Sequence, residues 1–280
     1  MSGLSKNHAA REQPPEAANR NGEGTAHIEI RDLLHTFERG GMVTQALDGV
    51  DLTVRAGELV SIVGPSGCGK STLLRILAGL LPFTDGAVQV GGRDVKGPQT
   101  DLGIVFQSPV LLDWRNVLDN VLIQLELRGL DARRYVERAK QLLDDVGLGE
   151  FQDRRPRELS GGMRQRVAIV RALIHDPTLL LMDEPFGALD ALTREQMRID
   201  LEKLWLQQRH TLLFVTHGIS EAVALADRVV VMTPRPGRIE KIIPIDLPRP
   251  RNKAVVSSAR FTEYCDEITE CFMRYGVIRY

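Results

Sequence analysis

From residue 27 the chain alternates polar and apolar positions in "HIEIRDL". Two further strand-like runs in "GVDLTVRAGELVSIVG" are separated by the turn Ala56-Gly57-Glu58. A helical pattern follows from Lys70 to about Leu80, then alternation in "AVQVGGRDV" around Gly91-Gly92, then the buried-strand candidate "DLGIVFQ". Strand, loop, helix, strand is the opening of a βαβ unit. From Asn116 to about Gly147 the spacing changes, with Leu, Val and Ile recurring every three and four residues, which predicts an inserted helical block. The strand pattern resumes in "TLLLMDEP" and "TLLFVTHG", continuous apolar runs of the kind that suit a parallel sheet covered on both faces. Helices are expected after each, at about Ala191 to Gln208 and Ser220 to Ala226. Beyond Pro248, "PRPRNKAVVSSAR" reads as a linker into a last amphipathic helix ending near Tyr275. No repeat of solenoid length is visible.

Composition narrows the partners more than the fold. The stretch Met1 to Ala26 is polar and rich in Gly, Pro, Asn and Glu, and is expected to be a disordered leader. No run is long and apolar enough to cross a bilayer. Lys and Arg number 36 against 37 Asp and Glu, so no global field draws the chain to nucleic acid or acidic lipid, and a nucleic-acid partner is not expected. Three cysteines in 280 residues suit a reducing compartment. Cys265 and Cys271 lack the further ligands of a zinc site and read as packing residues. Cys68 lies in a glycine-rich loop where a helix N-terminus and Lys70 would depress its pKa. It is either a small filler or a redox-sensitive thiol.

That loop, "GPSGCGKST", fits G-x-x-x-x-G-K-[ST]. Gly64, Pro65, Ser66, Gly67, Cys68, Gly69, Lys70, Ser71 and Thr72 would wrap nucleotide phosphates, Lys70 reaching the outer ones and Ser71 offering its hydroxyl to Mg²⁺. At the end of "LLLMDEP", Asp183 would hold Mg²⁺ opposite Ser71, directly or through water, and Glu184 would orient and deprotonate an attacking water. "LSGGMRQRVAIVRAL" sets Ser160, Gly161 and Gly162 before a helix, which reads either as a second anion site or as an ordinary N-cap.

Over about Ile28 to Leu247 this series of motifs resembles the ATPase subunit of an ATP-binding-cassette (ABC) transporter. The phosphate loop, "VFQSP", "LSGGM", "LLLMDEP", "GALD" and "VTHG" stand in the family's order. The resemblance implies an α/β fold: a P-loop NTPase (RecA-like) core with an antiparallel β subdomain and an inserted helical subdomain at about 108–165. The nucleotide-binding domain would occupy 27–247, with 248–280 as linker and C-terminal helix. ATP and Mg²⁺ are the implied cofactors. Gln107 becomes the Q-loop glutamine, catalytic and a Mg²⁺ ligand, His217 the switch histidine beside Glu184, and Asp190 the end of the dimer's D-loop. Phe37 in "HTFERG" is either the adenine-stacking aromatic or a β-subdomain core residue.

The family pairs two such subunits head to tail. A homodimer would then place Ser160, Gly161 and Gly162 on the partner chain's ATP. The seam "SPVLLDWRNVLDNV" would receive an integral-membrane permease subunit, unless Trp114 and its leucines are subdomain core. A periplasmic or extracytoplasmic solute-binding protein completes such a system, with this chain peripheral on the cytoplasmic face of the inner membrane. "LLDWRNVLDNV" and "VVVMTPRPGRI" look most like the branch importing nitrate, sulfonate and taurine, although Asp113, Met163 and Gly218 depart from common family residues. The alternatives are an importer ATPase for another small organic solute and a soluble cassette acting on DNA or ribosomes. The sequence shows neither the inserted coiled coil of the DNA-repair members nor the second cassette of the ribosomal ones.

Overall fold

A computed structural model describes residues 26–278. The leader expected over Met1 to Ala26 lies outside them except for Ala26, which opens the first strand. Strands β1 (Ala26–Arg39) and β2 (Met42–Arg55) form a long antiparallel hairpin. Its turn is Gly40-Gly41, both at positive φ, the geometry that matches the twist of paired strands. Strand β3 (Leu59–Val63) leads into the phosphate loop and α1 (Lys70–Leu77), followed by β4 (Asp85–Val90), β5 (Arg93–Asp94) and β6 (Leu102–Val105). The helical insert comprises α2 (Val117–Leu127), a 3₁₀ turn and α3 (Val136–Asp145). Then come α4 (Gly161–Leu173), β7 (Leu179–Asp183), α5 (Ala191–Gln208), β8 (Thr211–Thr216) and α6 (Ile219–Leu225). The chain closes with β9 (Arg228–Met232), β10 (Ile239–Pro244), α7 (Lys253–Val256) and α8 (Ala259–Arg274).

Two sheets result. The antiparallel one has the order β2-β1-β4-β5. The other runs β10-β9-β3-β8-β7-β6 and is parallel except for β10. Every residue of β3, β7 and β8 is buried, which explains their unbroken apolar sequence. Successive side chains of a strand point to opposite faces. Leu59 and Val63 accordingly join a core with α4, α5, α6 and α8, while Val60 and Ile62 join one with α1 and the antiparallel sheet. The parallel sheet is thus the wall shared by two cores. No helix among the described residues is long and apolar enough to cross a membrane.

Two boundaries differ from the sequence-based expectation. Helix α4 runs unbroken through the subdomain limit expected near 165, reaching from the insert to β6. The segment expected as a linker after Pro248 is anchored at Arg251, which is 1% exposed and donates to the carbonyls of Val223, Ala226 and Ile245. Its backbone N–H bonds the buried Glu202 carboxylate, which Arg249 also engages. Phe261, Tyr264, Ile268, Cys271 and Phe272, at helical spacing, then seat α8 in the same core as α6. No composition signal announces a buried arginine in a Pro- and Arg-rich run.

Candidate functional site

Residues Gly64 to Thr72 turn from the end of β3 into α1. Gly69 sits at φ +106°, and a Cβ there would lie 2.7 Å from Leu47 Cδ2 and 2.9 Å from the Ala46 carbonyl, so only glycine lets the loop close against the hairpin. Lys70 is buried. Its ammonium donates to the carbonyls of Gly64 (2.8 Å) and Pro65 (3.2 Å) and stands 3.8 Å from Glu184 Oε1. Burial pushes the Cys68 thiol up, outweighing the opposing pull of Lys70, and its side chain packs in the core beneath the loop. Of the two readings of Cys68, the packing favours the small filler over a redox-sensitive thiol, because desolvation outweighs the helix N-terminus and Lys70.

Strand β7 delivers Asp183 beside the loop, where its Oδ1 accepts a 2.7 Å hydrogen bond from Ser71 Oγ. Two hard oxygen donors at that spacing, with Gln107 on the same cavity, fit a small divalent cation that keeps part of its water shell. The next residue, Glu184, has φ +46°, a left-handed conformation that costs a non-glycine residue about 1–2 kcal/mol. Its N–H bonds the Val215 carbonyl of β8 at 2.9 Å, and its Oε2 lies 3.2 Å from His217 Nδ1. The parallel pairing of β7 with β8 puts the two strand ends side by side, so residues 33 apart in sequence meet at one edge.

Asp183, Glu184 and much of the loop face a cavity of about 520 Å³, whose lining does not include Gly64, Pro65, Cys68 or His217. Ser66, Gly67, Gly69, Lys70, Ser71, Thr72, Gln107, Asp183 and Glu184 line it on one side. Phe37 lines it on the other, 42% exposed and edge-on to the His35 ring with 4.5 Å between ring centroids, outside both cores. Met42 and Thr44 of β2 complete that wall. Five lining residues are absent from the site read in the sequence: Arg39, Met42, Thr44 and Ala46 of the hairpin, and Arg235, whose Nε donates to the Gly67 carbonyl at 3.2 Å. Arg235 lies in "VVVMTPRPGRI", where the only available signal was a basic turn directly after a buried strand.

The remaining expected residues do not line this cavity. Ser160 caps α4, accepting from the Met163 N–H at 3.2 Å, with Gly161 exposed. Asp190 caps α5, and the bond from Thr193 holds its carboxyl below the usual carboxylate range. A Cβ on Gly162 would press on the Thr193 methyl, so the two caps stand against each other. Near the seam, Trp114 is 72% exposed, and Val110 and Leu127 are also exposed, whereas Leu111 packs against the core and Leu112 is half-buried. Asn120, fully buried, fixes this seam by bonding both the N–H and the carbonyl of Leu112. From the other side α4 grips the same stretch: Gln165 donates to the Phe106 carbonyl and Arg171 to those of Pro109 and Val110.

A family model described as ABC transporter matches residues 47–187. An uncharacterized ABC transporter ATP-binding protein of Methanocaldococcus jannaschii is 49% identical over 86% of this chain and 89% of its own length. The aliphatic sulfonates import ATP-binding protein of Bacillus licheniformis is 45% identical over 81% of this chain and 88% of its own. The taurine import ATP-binding protein of Ruegeria pomeroyi is 50% identical over 76% and 80%. Among solved structures, a dimeric bacterial ABC transporter cassette superposes with a TM-score of 0.69 at 33% identity, covering 78% of this chain and 98% of its own. A post-hydrolysis cassette bound to ADP and Pi gives 0.67 at 31% identity, with the same coverages.

Proposed function

Since this chain belongs to the ABC transporter family and is one of its ATPases, we propose that it powers uptake of a small anion of the nitrate, sulfonate or taurine class. The observation that carries the catalytic part is the convergence of Lys70, Ser71, Asp183, Glu184 and His217 at the carboxyl ends of β3, β7 and β8. ATP would lie in the 520 Å³ cavity with adenine on Phe37 and phosphates in the loop. Ser71, Asp183 and Gln107 would hold Mg²⁺, which supplies charge neutralisation on the phosphoryl oxygens. Glu184 then accepts the proton of the attacking water, and His217 holds Glu184 and the water in line. The backbone strain at Glu184 fits this role, because a conformation disfavoured in isolation is kept where it aims a reacting group.

Ser160, Gly161 and Gly162 stand outside the cavity of their own chain, and this supports their use on the ATP of a second copy, with Asp190 and the exposed Leu192 at the junction. The permease would meet the Val110–Trp114 seam on the cytoplasmic face of the membrane, with a solute-binding protein on the far side. The relatives named for sulfonate and taurine import support the anion class.

The test is Glu184→Gln. It should keep ATP binding, slow hydrolysis by about 10²- to 10⁴-fold and trap a dimer seen by light scattering in ATP and Mg²⁺. Near-normal turnover would remove Glu184 from the role of base.

A further inference from the structure

The loop Thr216 to Gly218 carries His217, and a single hydroxyl holds it on both sides. Thr216, 2% exposed, accepts the Gly218 N–H at its Oγ1 over 3.0 Å. With that lone pair taken, the hydroxyl proton goes to Glu221 Oε2, in the first turn of α6, and the two atoms are in short contact. The other carboxyl oxygen, Oε1, is sealed from solvent and has no hydrogen-bond partner among the described residues. Buried polar atoms without partners are rare enough that each needs a reason. An acid acting only as a helix cap at this position would bond the Gly218 N–H itself. Here that N–H is already taken by Thr216, and the carboxyl reaches back across the loop instead.

We infer that Glu221 is a positioning residue for ATP hydrolysis: through Thr216 it fixes the backbone on either side of His217 and thereby the His217–Glu184 pair. The inference rests on the catalytic reading of that pair given above. Its surroundings agree. The charged groups acting on Glu221 come from three elements, namely Arg194 of α5, His217 of its own loop and Glu184 beyond β7, and burial raises its carboxyl above the usual range in spite of Arg194 and His217. Arg194 also donates to the Leu189 carbonyl, in the D-loop next to Asp190, and its Nε is buried without a partner among the described residues. Glu221 therefore sits between the segment that caps α5 and the segment that carries the switch histidine, outside the lining of the cavity.

Steady-state hydrolysis by the full chain tests this, with rates expressed per ATP-binding site so that misfolded material does not count. Glu221→Ala and Thr216→Val, the second keeping shape and burial, should each lower kcat roughly ten- to a hundredfold while KM for ATP stays within about twofold. Glu221→Gln, whose amide oxygen still accepts from Thr216, should recover kcat to within about threefold of the parent. On a His217→Ala background Glu221→Ala should add almost nothing, because a residue that acts through His217 has nothing left to position. Parental kcat in both Glu221→Ala and Thr216→Val, with His217→Ala impaired, overturns the inference, as does a full additional loss on the His217→Ala background. Parental turnover in His217→Ala itself overturns the catalytic reading beneath it, which is a separate result. If Glu221→Ala binds no ATP, Thr216→Val decides alone.

Discussion

Lys70 illustrates how one side chain serves two ends. Its ammonium already ties the Gly64 and Pro65 carbonyls, so it shapes the loop before any phosphate arrives. Lys70→Ala removes charge-assisted contacts of about 1.5–3 kcal/mol, and ATP affinity should fall roughly ten- to a hundredfold in a titration with a labelled analogue. His175 shows the opposite economy of charge. Arg128 donates to its Nε2 at 2.9 Å, which keeps that nitrogen unprotonated, and burial with the Arg128 charge lowers the ring's pKa to about 4. A folded pKa below the unfolded one, near 6.5, means the neutral ring stabilises the fold fully above pH 6.5 and that stability is lost as pH falls toward 4. Urea midpoints measured across that window should slope less in His175→Gln than in the parent. Gly64–Thr72, Asp183 and Glu184 were legible in the sequence because each motif is contiguous and its spacing is its chemistry. Arg235 and Arg251 were not, because they bond residues that only the folded chain brings near, and Glu221 was not, because its bond to Thr216 depends on how the loop turns into α6.

Among the elements, strand type and order followed from apolar runs, since full burial on both faces leaves no room for polar residues in β3, β7 or β8. The hairpin length did not: β1 and β2 continue through "HTFERGGMVTQ", whose exposed tips carry no alternation, and only the Gly40-Gly41 pair marks the turn. The tail after Pro248 was misleading in the other direction, being polar in composition and anchored in fact. Arg251 binds carbonyls at the end of α6 and just beyond it, and so joins the C-terminal segment to the helix that begins beside His217. Arg251→Ala leaves those carbonyls unpaired in the interior and should cost about 3–5 kcal/mol by urea denaturation, a cost Lys cannot recover because it lacks the forked geometry.

At the scale of the whole molecule, the exposed Trp114 separates folding from assembly. A residue 72% exposed contributes little to the isolated chain, so Trp114→Glu should melt within a few degrees of the parent and bind ATP normally. If the seam docks a permease, as proposed, the same substitution buries an unpaired charge there, and the variant should fail to co-purify with that permease from detergent extracts. Normal co-purification and solute uptake would place the docking surface elsewhere.

Helix α4 links that seam to the far side of the subunit, and its stiffness has a mechanical consequence. Thirteen residues of α-helix make a rod about 20 Å long. One end presents Ser160 and the exposed glycine, while Gln165 and Arg171 clamp the body of the rod to the stretch from Phe106 to Val110. A push on the seam that tilts the rod by about 10° about its far end moves the Ser160 end by about 3 Å, the span of one hydrogen bond. Spin labels placed at exposed positions on the seam and beside Ser160 would read that tilt as a correlated change in distance. On the proposed function the subunit would work as a lever with its short, gripped arm at the membrane side, converting a small displacement there into the making or breaking of a bond to a neighbouring chain.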